Sequence, residues 1–206
     1  AYHFTPAGAM IQTGAQALGC AVFPAGPGQT EQQIQAIRSL SPDGYAGTPS
    51  FLKIILEKAD EMGESLPSLK RALVAGEALF PAVRQGFADR GIAVRQFYGT
   101  ADLGNIAYES EAQEGLIVDE GVIVEIVRPG TGQPVAEGEV GEVVVTTTAR
   151  AYPLIRFATG DLSCFLPGVS SCGRTNRRLK GWMGRADQGT KVRGMFVHPP
   201  QVAAII

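Results

Sequence analysis

The most regular apolar spacing in the chain lies in PSFLKIILEKADEMG, residues 49–63. Phe51, Leu52, Ile55 and Leu56 fall on one stripe of a 3.6-residue period, Met62 extends it, and Gly63 offers a stop. This predicts an amphipathic helix. PAGAMIQTGAQALG has small and apolar residues at helical spacing and closes on Gly19, a C-cap residue type. TEQQIQAIRSL opens on Thr30 with Gln33 three residues later, the spacing of a capping box. PAVRQGFADRG places Pro81 at a helix start. Between these helices stand short apolar runs bounded by Gly and Pro: CAVFPAGPG, DGYAGTPS, LKRALVAGEALF and IAVRQFYGTADLG. Each predicts a strand running into a turn. Strand and helix alternate with short connections, so this part is α/β, a mostly parallel sheet flanked by helices. Ligands of such sheets sit outside the carboxyl ends of the strands.

Beyond Tyr108 the texture changes. GLIVDEGVIVEIVRPGTGQPVAEGEVGEVVVTTTA is rich in Val and Ile, partly alternating, and cut by Gly/Pro turns. It predicts a β-meander or small barrel. PLIRFATGDLSCFL reads as a strand pair bent at Gly160, and SSCGRTNRRLKG as a basic polar loop. WMGRADQGTKVRGMFVHPPQVAAII reads as a turn, a strand pair through Lys191 and Val197, then a helix from Pro199 or Pro200. The expected organisation is an α/β subdomain over 1–108, a β-rich, barrel-like subdomain over 109–183, and a last segment, 184–206.

Composition narrows the function classes. Of 206 residues 45% are hydrophobic and 18% charged, enough to bury a core. A net charge of −2 gives no electrostatic reason to expect nucleic acid as a partner. No apolar run is long enough to span a bilayer, so a membrane is not expected either. The odd, sparse set Cys20, Cys164 and Cys172 fits a reducing compartment, hence a cytoplasmic location, with structural thiols rather than a disulfide framework. The first residues, with no Met and no basic region, and the apolar last ones read as those of an internal stretch of a longer protein.

Four segments carry candidate chemistry: AGEALFP (75–81), YGTADLG (98–104), RFATGD (156–161) and GRADQGTKVRG (184–194). Singly, each is a glycine turn with a polar residue. In this order and spacing they resemble the adenylate-forming superfamily, and LGCAVFPAGPG, LVAGEALF, FYGTADLG and CGRT are similar to the phenylacetate–CoA ligase family within it. The resemblance implies a carboxylate attacking the α-phosphate of ATP, then a thiol, that of coenzyme A, displacing AMP. It also implies that the last segment is a hinge into a small C-terminal α+β domain.

By that resemblance Ala75, Gly76 and Glu77 border the adenine, and Tyr98 stacks on it, with Gly99 and Thr100 on the ATP/AMP side. Asp102 stands where relatives usually carry a Glu that ligates Mg²⁺, and Ala101 where they usually have Ser or Thr. Asp161 matches the ribose-binding aspartate, Arg185 a ribose or phosphate contact, and Asp187 the hinge, with Gly189 nearby. Lys191 and Gly194 match the loop on the CoA side. No residue is assigned outright as catalytic; Thr100 and Lys191 are the candidates. His3, between Tyr2 and Phe4, reads as packing near the acyl pocket. The phosphate loop and the adenylating lysine of the superfamily have no counterpart in the 206 residues, so this stretch alone is expected to be inactive. The expected partners are a small aromatic carboxylic acid, ATP and CoA, with a homodimer left open. Two alternatives stay open: an adenylyltransferase like coenzyme F390 synthetase, and a non-catalytic adenylate-binding module.

Overall fold

The computed structural model describes residues 6–188, 190–192 and 195–197. The chain divides into two compact units, Ala1–Gly104 and Asn105–Ile206.

The first unit runs α1 (Pro6–Ala17), α2 (Thr30–Leu40), β1 (Gly44–Gly47), α3 (Pro49–Glu61), β2 (Arg71–Val74), α4 (Pro81–Asp89) and β3 (Ala93–Thr100). Strands β1, β2 and β3 are neighbours and parallel, with Tyr45 beside Ala72 and Ala72 beside Val94. Their core is one cluster of Ala72, Val74 and Val94 from the strands, Leu52 and Leu56 from α3, and Phe87 from α4. Ile34 of α2 packs separately with Ile55 and Ala59 of α3. Each large apolar side chain buried this way stabilises by roughly 1.5–3 kcal/mol.

Helix α3 forms as its stripe predicts, and its start has a further cause. The Thr48 hydroxyl accepts from the Phe51 N–H at 3.3 Å, and Pro49 occupies the first turn. Met62 alone differs from expectation: it is 38% exposed and lies beyond the buried stripe. The stop itself falls where expected: Gly63 closes the turn in the left-handed region, with the Glu64 N–H on the Ala59 carbonyl at 2.8 Å. Gly19 closes α1 in the same manner, with the Cys20 N–H on the Ala15 carbonyl at 3.0 Å.

Two expectations in this unit are overturned. Residues 20–28 form no strand, because two prolines remove backbone donors and Gly26 and Gly28 adopt positive φ. Nor is there a capping box at α2, whose N-cap is Gln29 in the left-handed region with no side-chain bond. Gln33 turns the other way. Buried, it donates through Nε2 to the carbonyls of Gly26 (3.0 Å) and Gly28 (2.6 Å) and so ties down the loop that failed to become a strand.

The second unit holds β4 (Gly104–Glu109), β5 (Leu116–Val118), β6 (Val122–Val127), β7 (Gly141–Thr147), β8 (Phe157–Ser163), β9 (Phe165–Leu166) and β10 (Arg178–Leu179). A 3₁₀ turn (Ala186–Gln188) and the hairpin β11 (Thr190–Val192) and β12 (Met195–Val197) follow. Strands β6, β7 and β8 form an antiparallel meander, and β4, β5, β10 and β9 pair antiparallel in that order. Among the described residues no barrel closes: the meander is an open sheet of three strands. The Val- and Ile-rich run thus splits between two sheets. The basic loop is also corrected, since Arg178 lies buried on β10 and donates to the carbonyls of Glu114 (2.9 Å) and Pro167 (2.8 Å). The expected terminal helix from Pro199 or Pro200 lies outside the described residues.

Candidate functional site

In the first unit the register of β2 on β3 pairs Val74 with Gln96, so 75–77 and 98–100 stand at the carboxyl ends of neighbouring parallel strands. This is where a sheet of this kind receives ligands. Ala75 donates its N–H to the Gly47 carbonyl at 3.0 Å, which holds the chain to the end of β1 as it leaves β2. Gly76 follows at φ 80, a conformation that favours glycine.

Glu77 is engaged by its own unit. Its carboxylate accepts from the Ser50 hydroxyl at 2.8 Å and the Ser50 N–H at 3.3 Å, in the first turn of α3. An anion at a helix N-terminus is stabilised by the unpaired N–H groups there. Beside it the Tyr45 hydroxyl donates to the Thr48 carbonyl at 3.1 Å. Burial foremost, then the Glu77 charge, push the Tyr45 phenol up to about 12.

Tyr98 and Gly99 are half-buried at the end of β3. The Thr100 hydroxyl accepts from the Leu103 N–H at 3.1 Å, shaping the turn on which Asp102 stands exposed.

In the second unit Asp161, Arg185 and Asp187 come together. Residues 183 and 184 bond along β8: the Met183 N–H donates to the Leu162 carbonyl (2.9 Å) and the Leu162 N–H to the Gly184 carbonyl (2.8 Å). Asp161 and Arg185 form the next bridge. The Asp161 side chain is only 14% exposed, and its Oδ1 accepts from Arg185 Nη1 at 3.3 Å. Arg185 also donates to the Thr159 carbonyl (3.2 Å) and, through Nε, to Asp187 Oδ1 (3.3 Å). Asp187 first, with Asp161 adding, raises the guanidinium further above its ordinary range, so it is charged at any working pH.

Gly160 belongs to β8 rather than ending it. It sits at φ 74, and a Cβ there would lie 2.7 Å from Arg185 Nη2. The bend expected at this glycine is therefore a left-handed residue within a continuing strand, and it leaves room for the guanidinium. Sequence reasoning missed Trp182, whose indole Nε1 donates to Asp161 Oδ1 at 3.0 Å. A lone tryptophan two residues before the Gly-Arg pair was the only signal.

Lys191 lies on β11 opposite Phe196. Gly189, Gly194, His198 and the Tyr2-His3-Phe4 triplet lie outside the described residues. Cys20, Cys164 and Cys172 are free thiols. Among the described residues no three His, Cys, Asp or Glu side chains gather to hold a metal, and no helix is long and apolar enough to cross a membrane.

Residues 2–151 match the family model of AMP-binding enzymes, and the chain belongs to that family. It is similar to the phenylacetate–coenzyme A ligase of Thermus thermophilus, 34% identical over 214 residues, which take in 100% of this chain and 48% of that protein. The enzyme of the same name from Escherichia coli is 37% identical over 198 residues, 92% of this chain and 45% of the relative. The chain thus spans about half the length of the curated relatives it matches. Among solved structures it is similar to an open conformation of 2-hydroxyisobutyryl-CoA ligase in complex with an acyl-AMP and CoA. That likeness has a TM-score of 0.83 and 26% identity, over 93% of this chain and 48% of that one.

Proposed function

We propose that the protein carrying this chain activates a small aromatic carboxylic acid with ATP and passes the acyl group to coenzyme A. The acid's carboxylate oxygen attacks the α-phosphorus and pyrophosphate leaves. The thiol sulfur then attacks the acyl carbonyl carbon, and AMP leaves. One observation carries the reading: in a chain of the AMP-binding family, AGE and YGT occupy the carboxyl ends of adjacent parallel strands. The similarity to enzymes named phenylacetate–coenzyme A ligases, and to a solved ligase holding an acyl-AMP and CoA, favours this reaction over other adenylations.

In this reading Ala75, Gly76 and Tyr98 border the adenine, while Glu77 works mainly through α3, whose first turn it binds. Asp161 takes the ribose hydroxyls as a carboxylate acceptor, with Arg185 on the ribose or phosphate side. Asp187, in the 3₁₀ turn, is the hinge position, and Lys191 and Gly194 serve the CoA step. Asp102 offers a single exposed carboxylate group. That suits Mg²⁺ carried in by the nucleotide, whose other ligands are phosphate oxygens and water, and not a cage built by protein alone. Bound there, the ion would neutralise phosphate charge.

The test is pyrophosphate exchange by the protein carrying this chain, dependent on an aryl or arylalkyl carboxylate, followed by AMP release on adding CoA. No exchange with any such acid would overturn the ligase reading. Asp161→Ala is expected to weaken ATP binding by about 1.5–3 kcal/mol, the range for a hydrogen bond to a charged group. An unchanged affinity in a folded variant would remove Asp161 from the site.

A further inference from the structure

We propose that Trp182 is a positioning residue for nucleotide recognition, acting by holding the carboxylate of Asp161. The inference rests on the assignment of Asp161 to the ribose. Three observations lead to it. The Trp182 indole is 46% exposed, so burial does not account for a tryptophan at this place. Its one donor, Nε1, meets Asp161 Oδ1 at 3.0 Å, closer than Arg185 Nη1 at 3.3 Å. The Met183 and Gly184 bonds to Leu162 hold the adjoining backbone against β8, so the indole stands on a fixed base.

The two donors differ in what they can fix. Arg185 divides its guanidinium among Thr159, Asp161 and Asp187. An indole has one N–H, in the plane of a ring with only two side-chain torsions, and no charge. Two donors converging on the same oxygen set the rotation of the carboxyl plane about its bond to Cβ. Trp182 thereby orients the acceptor without adding charge beside it, and the Asp161 backbone is held from the other side by its N–H on the Thr159 hydroxyl at 3.1 Å. A carboxylate whose plane is fixed before the ligand arrives loses less rotational freedom on binding two hydroxyl groups.

Trp182→Phe, made in the protein carrying this chain, keeps a ring and removes the donor. The expected result is a KM for ATP raised about tenfold with kcat changed less than twofold. The preference for ATP over its 2′-deoxy and 3′-deoxy analogues should fall by a similar factor. In the double variant with Asp161→Asn the second substitution should add almost nothing, because Trp182 acts through Asp161. Selectivity intact in Trp182→Phe but lost in Asp161→Asn would overturn the role of Trp182 and leave the ribose assignment standing. Selectivity intact in both would overturn that assignment, and this inference with it. A loss of stability and kcat that adds in full on top of Asp161→Asn would make Trp182 a structural residue only.

Discussion

At Gly160 a backbone requirement and a charge requirement coincide. The residue stands at φ 74, and the space over its Cα is filled by the Arg185 guanidinium that reaches Asp161. The guanidinium can swing aside, so the backbone strain of a left-handed residue with a Cβ sets the larger part of the cost, about 1–2 kcal/mol. Gly160→Ala is therefore expected to lose that much stability in urea titration and, by displacing Arg185, to weaken ATP binding as well. A variant as stable as the parent would show that the strand relaxes freely at this point. Tyr45 gives a pH signature in the other unit. Its folded phenol titrates at about 12 because of burial first and Glu77 second, whereas an unfolded chain titrates near 10. Between those values the folded state binds more protons, so this part of the stability is complete below about pH 10 and falls as pH rises through 12, by about 1.4 kcal/mol per unit. Tyr45→Phe should flatten that slope in denaturant titrations across the window. Equal slopes in the two proteins would place the alkaline sensitivity elsewhere.

At the scale of the element, α3 shows how far periodicity alone carries. Leu52 is fully buried and Ile54, two residues on, is 48% exposed, as the stripe requires. Leu52→Ala is expected to cost about 2–5 kcal/mol and Ile54→Ala roughly 0.5 kcal/mol or less, read as midpoints in urea at constant slope. Similar costs at the two positions would mean that the stripe does not point into the core. The same helix marks where legibility stops. Met62 continues the apolar spacing, yet the helix has already turned into its Gly63 cap, and a period cannot tell an apolar residue in the core from one past the end. Gln33 failed for a related reason. Its spacing to Thr30 satisfied a local rule, but two glycine carbonyls of a preceding loop competed for the same amide and won. CAVFPAGPG looked like a strand by its apolar content, and its missing N–H donors left no ladder to join.

For the whole molecule, the order of the glycine segments made the family legible, because each is a short local sequence at or near a strand end, or within a strand as at Gly160, and needs no knowledge of distant packing. What stayed hidden was every contact made across sequence distance: Glu77 on the first turn of α3, Arg178 buried on β10, and Trp182 on Asp161. Side chains recruited from 11 to 64 residues away leave no local period to read. Nucleotide binding by the protein carrying this chain should register in its global stability. A ligand that binds only the native state stabilises it by about 2.7 kcal/mol at a hundredfold excess over Kd, enough to raise Tm by several degrees. ATP is expected to do this, and at the same free ATP the gain should shrink in Asp161→Ala by about 1.4 kcal/mol for each tenfold loss of affinity. Because the reading is the difference with and without ATP, any change the substitution makes to the unliganded fold cancels. An equal ATP-dependent gain in both proteins would mean that the nucleotide binds without Asp161, and no gain in either that this fold does not hold ATP.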